Sequence, residues 1–556
     1  MSLPGWTCSS RVPGGVLLHQ TASTQRGVPN GMRQGAVMRN FGLLGILFFL
    51  GWASASSADN SPVRPGSVSP PNIVILLADD LGWNDVGFHG APIETPHIDS
   101  LAREGVELER FYSQPICTPT RAALLTGRSP LRAGLVFGVA RPWDYFGLPA
   151  AEHLLSESLR SAGYQTALIG KWHLGHSHAL HTPNRRGFDH FYGHLLGAID
   201  YFSHSRLGGL DWQRNGETLH EEGYSTDLIG SEAVRVIADR DPAKPLFLYV
   251  PFNAPHSPMQ APPELIERYS KLSSEPNLKA HAEFIESVAK RLGLPVERAA
   301  RILDPSGEAP RAVFAAMVHS LDVAVGKILA ALDEAGIADD TLVLFFSDNG
   351  GHISLGASNA PLRGEKSTVF EGGIRVPAAI RWPRGLEGGR RVTQTISVLD
   401  VMPTLASAAG VEPRGELPLD GKDRWAQIQG AEPVAPGEIF FGVNGVLGRQ
   451  VALRYDRWKL VRASGFAGDE ERTLLFDVEG DPLEREDLAQ AQPERVIDLA
   501  ARLDRWLELY PPGGAQGVHW PHPGWIAPSD YGAAVRTDGA AVRKDDAAVR
   551  QEGPTH

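Results

Sequence analysis

The sequence predicts an α/β fold: a large, mainly parallel sheet sandwiched by helices, followed by a smaller C-terminal α+β domain built on an antiparallel sheet. Three observations predict it. Four short runs are continuously apolar, the pattern of strands buried on both faces of a parallel sheet. Amphipathic stretches lie between them, and strands alternating with helices mark a sheet covered on both sides. From about Gly437 the texture changes to alternating segments with short polar connections, as in an antiparallel sheet. The 556 residues are 42% hydrophobic and 21% charged. That balance belongs to a globular protein with a large core and excludes a coiled coil, a collagen and a mainly disordered chain.

Residues 1–58 contain Arg11, Arg26, Arg33 and Arg39 and no acidic residue. The apolar run Phe41–Trp52 (FGLLGILFFLGW) is short for a membrane-spanning helix and is followed by small residues at 53–58. The segment reads as a secretory signal peptide, with an uncleaved anchor as the alternative. Its charged region sits deep, which makes Met32 and Met38 candidate start codons. Residues 59–71 (DNSPVRPGSVSPP) form a Pro/Ser-rich linker. The main domain is expected over 72–415. Its buried strands are Asn72–Ala78 (NIVILLA), Gln165–Gly170 (QTALIG), Leu246–Pro251 (LFLYVP) and Thr341–Ser347 (TLVLFFS). Its clearest helix runs from Val313 to Leu332, with Val313, Phe314, Met317, Leu321, Val325, Ile328 and Leu332 at helical spacing.

The smaller domain is expected over 416–511, with strands in EIFFGV, QVALRYDRWKLV and TLLFDV and a helix over Glu494–Leu509. Residues 512–556 read as a disordered or loosely helical tail. It carries a seven-residue repeat at 533–553 (AAVRTDG, AAVRKDD, AAVRQEG), too short for a coiled coil.

Lys plus Arg number 53 against 65 Asp plus Glu, a formal charge of −12 that becomes −16 without the leader's four arginines. So acidic a chain does not bind nucleic acid through its global field. The two cysteines, Cys8 and Cys117, cannot make a disulfide framework. Removal of the leader leaves Cys117 as the single thiol.

Ligands of open α/β sheets bind at the carboxyl ends of the strands. Here the first strand ends in Asp79-Asp80, the second runs into Lys171-Trp172-His173, the third is followed by Pro255-His256, and the fourth by Asp348-Asn349. Adjacent carboxylates repel unless a cation neutralises them. Three carboxylates and one amide oxygen suit a hard ion such as Ca²⁺ or Mg²⁺ rather than a zinc cage. A lone Asp-Asp pair has an alternative as a turn or helix cap. Cys117-Thr118-Pro119-Thr120-Arg121, followed by AALLTGR, predicts a helix beginning near Thr118. Cys117 then sits at the positive end of that helix, a natural anion site. A small buried hydrophobe and a thiolate nucleophile are the other readings of the cysteine. The histidines at 176, 178, 181, 190 and 194 cluster in sequence without a ligand geometry and receive no role.

The run CTPTRAALLTGR resembles the signature of the sulfatases of the alkaline phosphatase superfamily, in which the cysteine is oxidised to formylglycine. The resemblance spans roughly residues 71–510 and includes ADDLGWNDVGFHG, GYQTALIGKWHLG, RRGFDHFYG, NAPHSP, FFSDNGG and PLRGEKSTVFEGGIRVP. LLGAIDYFSH looks most like the arylsulfatase B branch, which acts on N-acetylgalactosamine sulfates. The resemblance implies that Asp79, Asp80, Asp348 and Asn349 bind Ca²⁺ together with the modified Cys117. It implies that Arg121 holds the hydrated aldehyde, and that Lys171, His256 and Lys366 hold the sulfate and stabilise the leaving oxygen. His173 would serve the step that regenerates the aldehyde.

The chemistry agrees with that assignment. A sulfate ester spreads negative charge over several oxygens in its transition state, so the site needs a cation and fixed donors. A hydrated aldehyde offers one hydroxyl to attack sulfur and a second whose collapse expels sulfate. An unmodified Ser or Cys lacks the second. The implied partners are a sulfated small molecule or glycan as substrate and a formylglycine-generating enzyme during maturation. The expected compartment is secreted or periplasmic, with no stable membrane span. One rival is a phosphatase, phosphodiesterase or phosphonate hydrolase of the same superfamily. Its two-zinc members place a His where this chain has Asn349. The other is an inactive sulfated-glycan-binding protein with an unmodified Cys117.

Overall fold

The structure is a computed structural model that describes residues 70–537, apart from 273–274, 293–294, 304–309, 436, 446–447, 465–470 and 516–520. The expected signal peptide, all but the end of the linker and most of the tail repeat lie outside the described residues.

The four apolar runs form the strands expected of them: β1 (Asn72–Ala78), β2 (Gln165–Lys171), β3 (Leu246–Pro251) and β4 (Thr341–Ser347). They lie side by side and parallel in the order β4, β1, β3, β2, with His190–His194 continuing the parallel run beyond β2. Short strands complete a ten-stranded sheet at both edges: 378–381, 106–108 and 390–392 beyond β4, and 213–214 and 217–218 beyond His190–His194. Consecutive residues of a strand face opposite sides. Val74, Leu76 and Ala78 of β1 therefore enter one core, and Ile73, Ile75 and Leu77 enter the other.

Helices close both faces. α1 (Cys117–Thr126) supplies Ala122, Ala123, Leu124 and Leu125 to the second core. On the opposite face α2 (Ser225–Ala238) and α3 (Pro310–Glu334) pack together over the first core. α3 carries the helical stripe read from the sequence. Among the described residues it is the one helix long and apolar enough to cross a membrane, and most of it is buried inside the protein.

The C-terminal antiparallel sheet consists of β5 (Glu438–Gly445), β6 (Gly448–Tyr455), β7 (Trp458–Ala463) and β8 (Arg472–Asp477), paired in sequence order. The expected strand QVALRYDRWKLV is two strands. The chain reverses at Asp456-Arg457, where Asp456 takes a left-handed φ of 55°. One face of this sheet packs Phe441, Val443, Val461 and Phe476 against Tyr112, Val369 and Ile374 of the main fold. The other face packs Leu453, Leu460 and Leu475 against Leu499, Leu503 and Trp506 of α4 (Pro493–Leu507).

Candidate active site

The carboxyl ends of β1, β2 and β4, the loop after β3 and the start of α1 meet at Cys117. α1 begins at Cys117 itself, after Ile116 in an extended conformation, and ends at left-handed Gly127. Thr120 ties its first turn to the strand ends: the Oγ1 accepts from Gln114 N at 2.9 Å and lies 2.5 Å from the Asp348 carbonyl. The thiol of Cys117 is buried, 3.4 Å from Asp79 Oδ1 and 3.7 Å from Lys366 Nζ. Burial, reinforced by the Asp348 and Asp79 carboxylates, pushes the thiol well above its ordinary range. The unmodified side chain is thus a protonated thiol at neutral pH, which argues against the thiolate reading.

Acids and cations interlock around it. Arg121, fully buried, donates through Nη2 to Asp348 Oδ2 at 2.9 Å and through Nη1 to the Lys171 carbonyl at 2.9 Å. Its Nη2 also lies 3.7 Å from Asp79. Lys171, at the end of β2, pairs with Asp79. Lys366 sits 2.6 Å from Asp80 Oδ1, and Asp80 adopts a left-handed φ of 68°. Burial opposes the charge on Asp80, but Lys366 and then His256 outweigh it and hold the carboxyl below its ordinary range. Asp348 goes the other way, pushed up to about 6 by burial and then by Asp79.

Asp79, Asp80, Cys117 and His256 present ligand-capable atoms within 4.8 Å of one another. Asn349 adds an asymmetric contribution: Nδ2 donates to Asp80 Oδ1 at 2.7 Å, whereas Oδ1 is buried with no protein partner. A buried acceptor left unpaired costs about 1–3 kcal/mol, and a cation beside it removes that cost. Three carboxylates and an amide oxygen form a hard-ion donor set, so the residues fit a hard divalent cation such as Ca²⁺ or Mg²⁺.

Two histidines flank the centre. His256 Nδ1 lies 2.6 Å from the Ser257 carbonyl, and Nε2 lies 3.7 Å from Asp80 Oδ2. Burial and then Lys366 push its pKa down to about 3. His173 has a left-handed φ of 59°, and its Nε2 meets the Ala140 carbonyl at 3.1 Å. That contact requires the proton on Nε2 and leaves Nδ1 bare, buried and without a partner. Burial, then Lys171 and Arg121, depress its pKa strongly. Gly197 lies under the ring, where a Cβ would come 2.3 Å from Nε2.

All ten residues singled out from the sequence thus converge: Asp79, Asp80, Cys117, Arg121, Lys171, His173, His256, Asp348, Asn349 and Lys366. His256, read as holding the sulfate and stabilising the leaving oxygen, also belongs to the metal-capable group. The other histidines serve locally. His176 Nε2 meets the Pro142 carbonyl at 3.2 Å, His190 pairs with Glu232 and His194 Nδ1 meets the Leu196 carbonyl.

Several supporting residues escape sequence reasoning. Thr118 Oγ1 donates to the His173 carbonyl at 3.0 Å, and the Tyr201 hydroxyl sits 2.7 Å and 2.8 Å from the carbonyls of Asn253 and His256. Lys459 on β7 is fully buried between Glu371 at 2.8 Å and Glu484 at 2.7 Å. Glu484 in turn accepts from Glu371 N, and its carbonyl accepts from Arg363. This buried network fixes both ends of the loop that carries Lys366. Thr118 and Tyr201 lie inside the motifs quoted above, which is the one signal that could have found them.

Buried acids and cations around one residue, at the carboxyl edge of such a sheet, define a hydrolase of the alkaline phosphatase superfamily. The sulfatase family model matches residues 71–411. Arylsulfatase J of Mus musculus is 32% identical over 498 residues, covering 80% of this chain and 78% of that protein. Steryl-sulfatase of Mus musculus is 31% identical, covering 83% and 89%. The crystal structure of Ps i-CgsB in complex with k-i-k-neocarrahexaose superposes with a TM-score of 0.67 at 29% identity, covering 87% of this chain and 98% of that one. The chain belongs to the sulfatase family and is a sulfuric ester hydrolase.

Proposed function

We propose that this sulfatase removes sulfate from sulfated sugars or glycans, using a formylglycine made from Cys117 and a bound Ca²⁺. The observation that carries the reading is Cys117 itself: a buried, protonated thiol at the first position of α1, between Asp79 and Lys366. Relatives named N-acetylgalactosamine-6-sulfatase, 34% identical over 64% of the chain, and the hexaose complex of Ps i-CgsB support a glycan substrate. The leader's basic residues, apolar run and small residues support export, with a formylglycine-generating enzyme acting before folding buries the thiol.

Asp79, Asp80, Asp348 and Asn349 would hold Ca²⁺, which when bound would polarise the sulfate, and position 117, once converted to a hydrated aldehyde, would supply the attacking oxygen. The chain's other residues orient and balance charge. Arg121, locked by Asp348 and the Lys171 carbonyl, cannot swing away and fixes position 117. Lys171 and Lys366 bring positive charge to the sulfate oxygens in a largely buried site, where such charge acts more strongly than in water. His256, its Nδ1–H anchored on the Ser257 carbonyl, turns Nε2 toward the centre and can donate to the leaving oxygen only after taking up a second proton there. His173 presents its bare Nδ1 as the proton acceptor for aldehyde regeneration.

The test is turnover of matched 4-nitrophenyl sulfate and phosphate by the wild-type protein and Cys117→Ala. We expect the sulfate to be the preferred ester and Cys117→Ala to lose at least roughly three orders of magnitude, with its fold intact by circular dichroism. Substantial activity in Cys117→Ala overturns the formylglycine reading. Preference for the phosphate favours the rival hydrolases of the superfamily.

A further inference from the structure

Away from the residues gathered at Cys117 the chain builds a cavity of about 320 Å³, whose lining includes Asp144, Tyr145, His176, His522, Trp525 and Arg536. Its far wall is the 521–537 segment, part of the stretch expected to be a loose tail, and backbone pairing pins this wall in place. Leu210 N donates to the Ser529 carbonyl at 2.9 Å, and Tyr531 N returns to the Leu210 carbonyl at 2.9 Å. Seven residues on, Arg536 N donates to the Ser177 carbonyl at 3.1 Å, and its carbonyl accepts from Ala179 N at 2.8 Å. Thr218 Oγ1 donates to Asp530 at 2.7 Å, and Tyr531 is buried. The strap is therefore held at both ends of 529–536.

The near wall is continuous with the reaction centre. Ala140, whose carbonyl meets His173 Nε2, also donates from its N–H to Thr118 Oγ1 at 3.2 Å, one residue from Cys117. Asp144 follows four residues later, within about 14 Å of Ala140 even if the chain were fully extended. A turn closed by Arg141 N to Asp144 Oδ2 at 2.7 Å brings it nearer. His176, three residues beyond His173, contacts the Pro142 carbonyl of the same loop.

The lining states the ligand's chemistry. Trp525, half-buried and met only edge-on by Trp143, offers the aromatic face, while the Tyr145 ring beside it is taken up by the Arg536 guanidinium at 4.9 Å and by His522 at 6.4 Å. Asp144, His176 and Arg536 bring charged and hydrogen-bonding groups to the same lining. Pro142, Ile526, Pro528 and Ala534 complete the lining with apolar surface. A sugar ring, with an apolar C–H face and a rim of hydroxyls, uses both this surface and the polar groups, whereas a sterol, with its few hydroxyls, would make little use of Asp144 and Arg536. The cavity is of a size that takes a small organic ligand.

We propose that this cavity binds the sugar residue next to the sulfated one, so that the enzyme's substrate is an oligosaccharide rather than an isolated sulfate ester. The proposal rests on the sulfatase reading for the position of the sulfate, and its test separates the two. Tetrasaccharides of chondroitin sulfate and of ι-carrageenan are titrated by calorimetry into full-length Cys117→Ala protein, with and without Trp525→Ala, Trp525→Phe or His522→Ala. At least one tetrasaccharide is expected to bind, with affinity reduced about tenfold or more by Trp525→Ala and less by Trp525→Phe. His522→Ala, an exposed position, guards against a folding artefact. With Cys117 restored, Trp525→Ala should hydrolyse 4-nitrophenyl sulfate within about twofold of wild type, because this ester carries no sugar to reach the cavity. Equal affinity in every variant, or no tetrasaccharide binding, overturns the proposal. So does a Trp525→Ala defect confined to estrone sulfate turnover, which would assign the cavity to an apolar aglycone. A wild-type enzyme that binds the tetrasaccharide through Trp525 yet hydrolyses no aryl sulfate would uphold the cavity and overturn the sulfate chemistry.

Discussion

Asn349 discriminates between the metal chemistries open to this fold. Its amide nitrogen is committed to Asp80, so its oxygen can face nothing but the centre, where the protein supplies no donor. An imidazole there would add a nitrogen ligand and favour a transition metal, whereas an amide oxygen with three carboxylates favours a hard ion. Asn349→Ala should therefore weaken Ca²⁺ binding by about tenfold or more in a chelator-buffered titration followed by thermal shift. An unchanged titration would show that Asn349 is not a ligand. At this scale the residues that gather at the centre were legible because each follows directly on a buried strand or lies in a quoted motif. The residues that hold them were not. Thr118, Thr120 and Tyr201 act on carbonyls of residues 52 to 228 positions away in the chain, a pairing that no local spacing encodes. Lysine is mostly a surface residue. The burial of Lys459 depends on Glu371 and Glu484 arriving from elsewhere, so β7 alone gives no hint of it.

Strand ends and the turns after them do the positioning. After His190–His194 the chain turns through Leu195–Gly197 beneath the His173 ring, and Asp211 holds that turn. Its carboxylate accepts from Leu195 N at 3.0 Å and Leu196 N at 2.8 Å. Burial outweighs those bonds and raises the Asp211 pKa to about 6, above the 3.8 of an unburied carboxyl. The folded state thus holds the proton more tightly than the unfolded one. The stability this contributes is present at low pH and is lost as pH rises from about 4 through about 6. About two pKa units correspond to roughly 3 kcal/mol as an upper order of magnitude. The wild-type advantage in Tm over Asp211→Asn should therefore shrink between pH 4.5 and pH 7, and an advantage that grows with pH would refute the assignment. The four core strands were legible because burial on both faces leaves an unbroken apolar run. The edge strands of two to four residues were not, since they are too short to show a period and are defined by their neighbours. The split of β6 from β7 was hidden because its two-residue turn, Asp456-Arg457, lies inside an otherwise strand-like run.

In the whole molecule the two sheets have separate tasks. The ten-stranded sheet delivers ligands along one edge, and the antiparallel sheet braces the Lys366 loop from behind through Lys459. The 521–537 strap then adds a wall that composition did not foretell, since its order comes from pairing with residues 177–179 and 210 rather than from its own hydrophobicity. In the proposed function all of these parts serve one side chain, that of Cys117, as the formylglycine made from it. The most direct measurement is mass spectrometry of the tryptic peptide containing position 117, from protein matured with a formylglycine-generating enzyme and treated with a hydrazide reagent. An aldehyde at 117, trapped by the reagent, is expected in protein that hydrolyses aryl sulfates. An active protein whose peptide carries only an intact cysteine would contradict it.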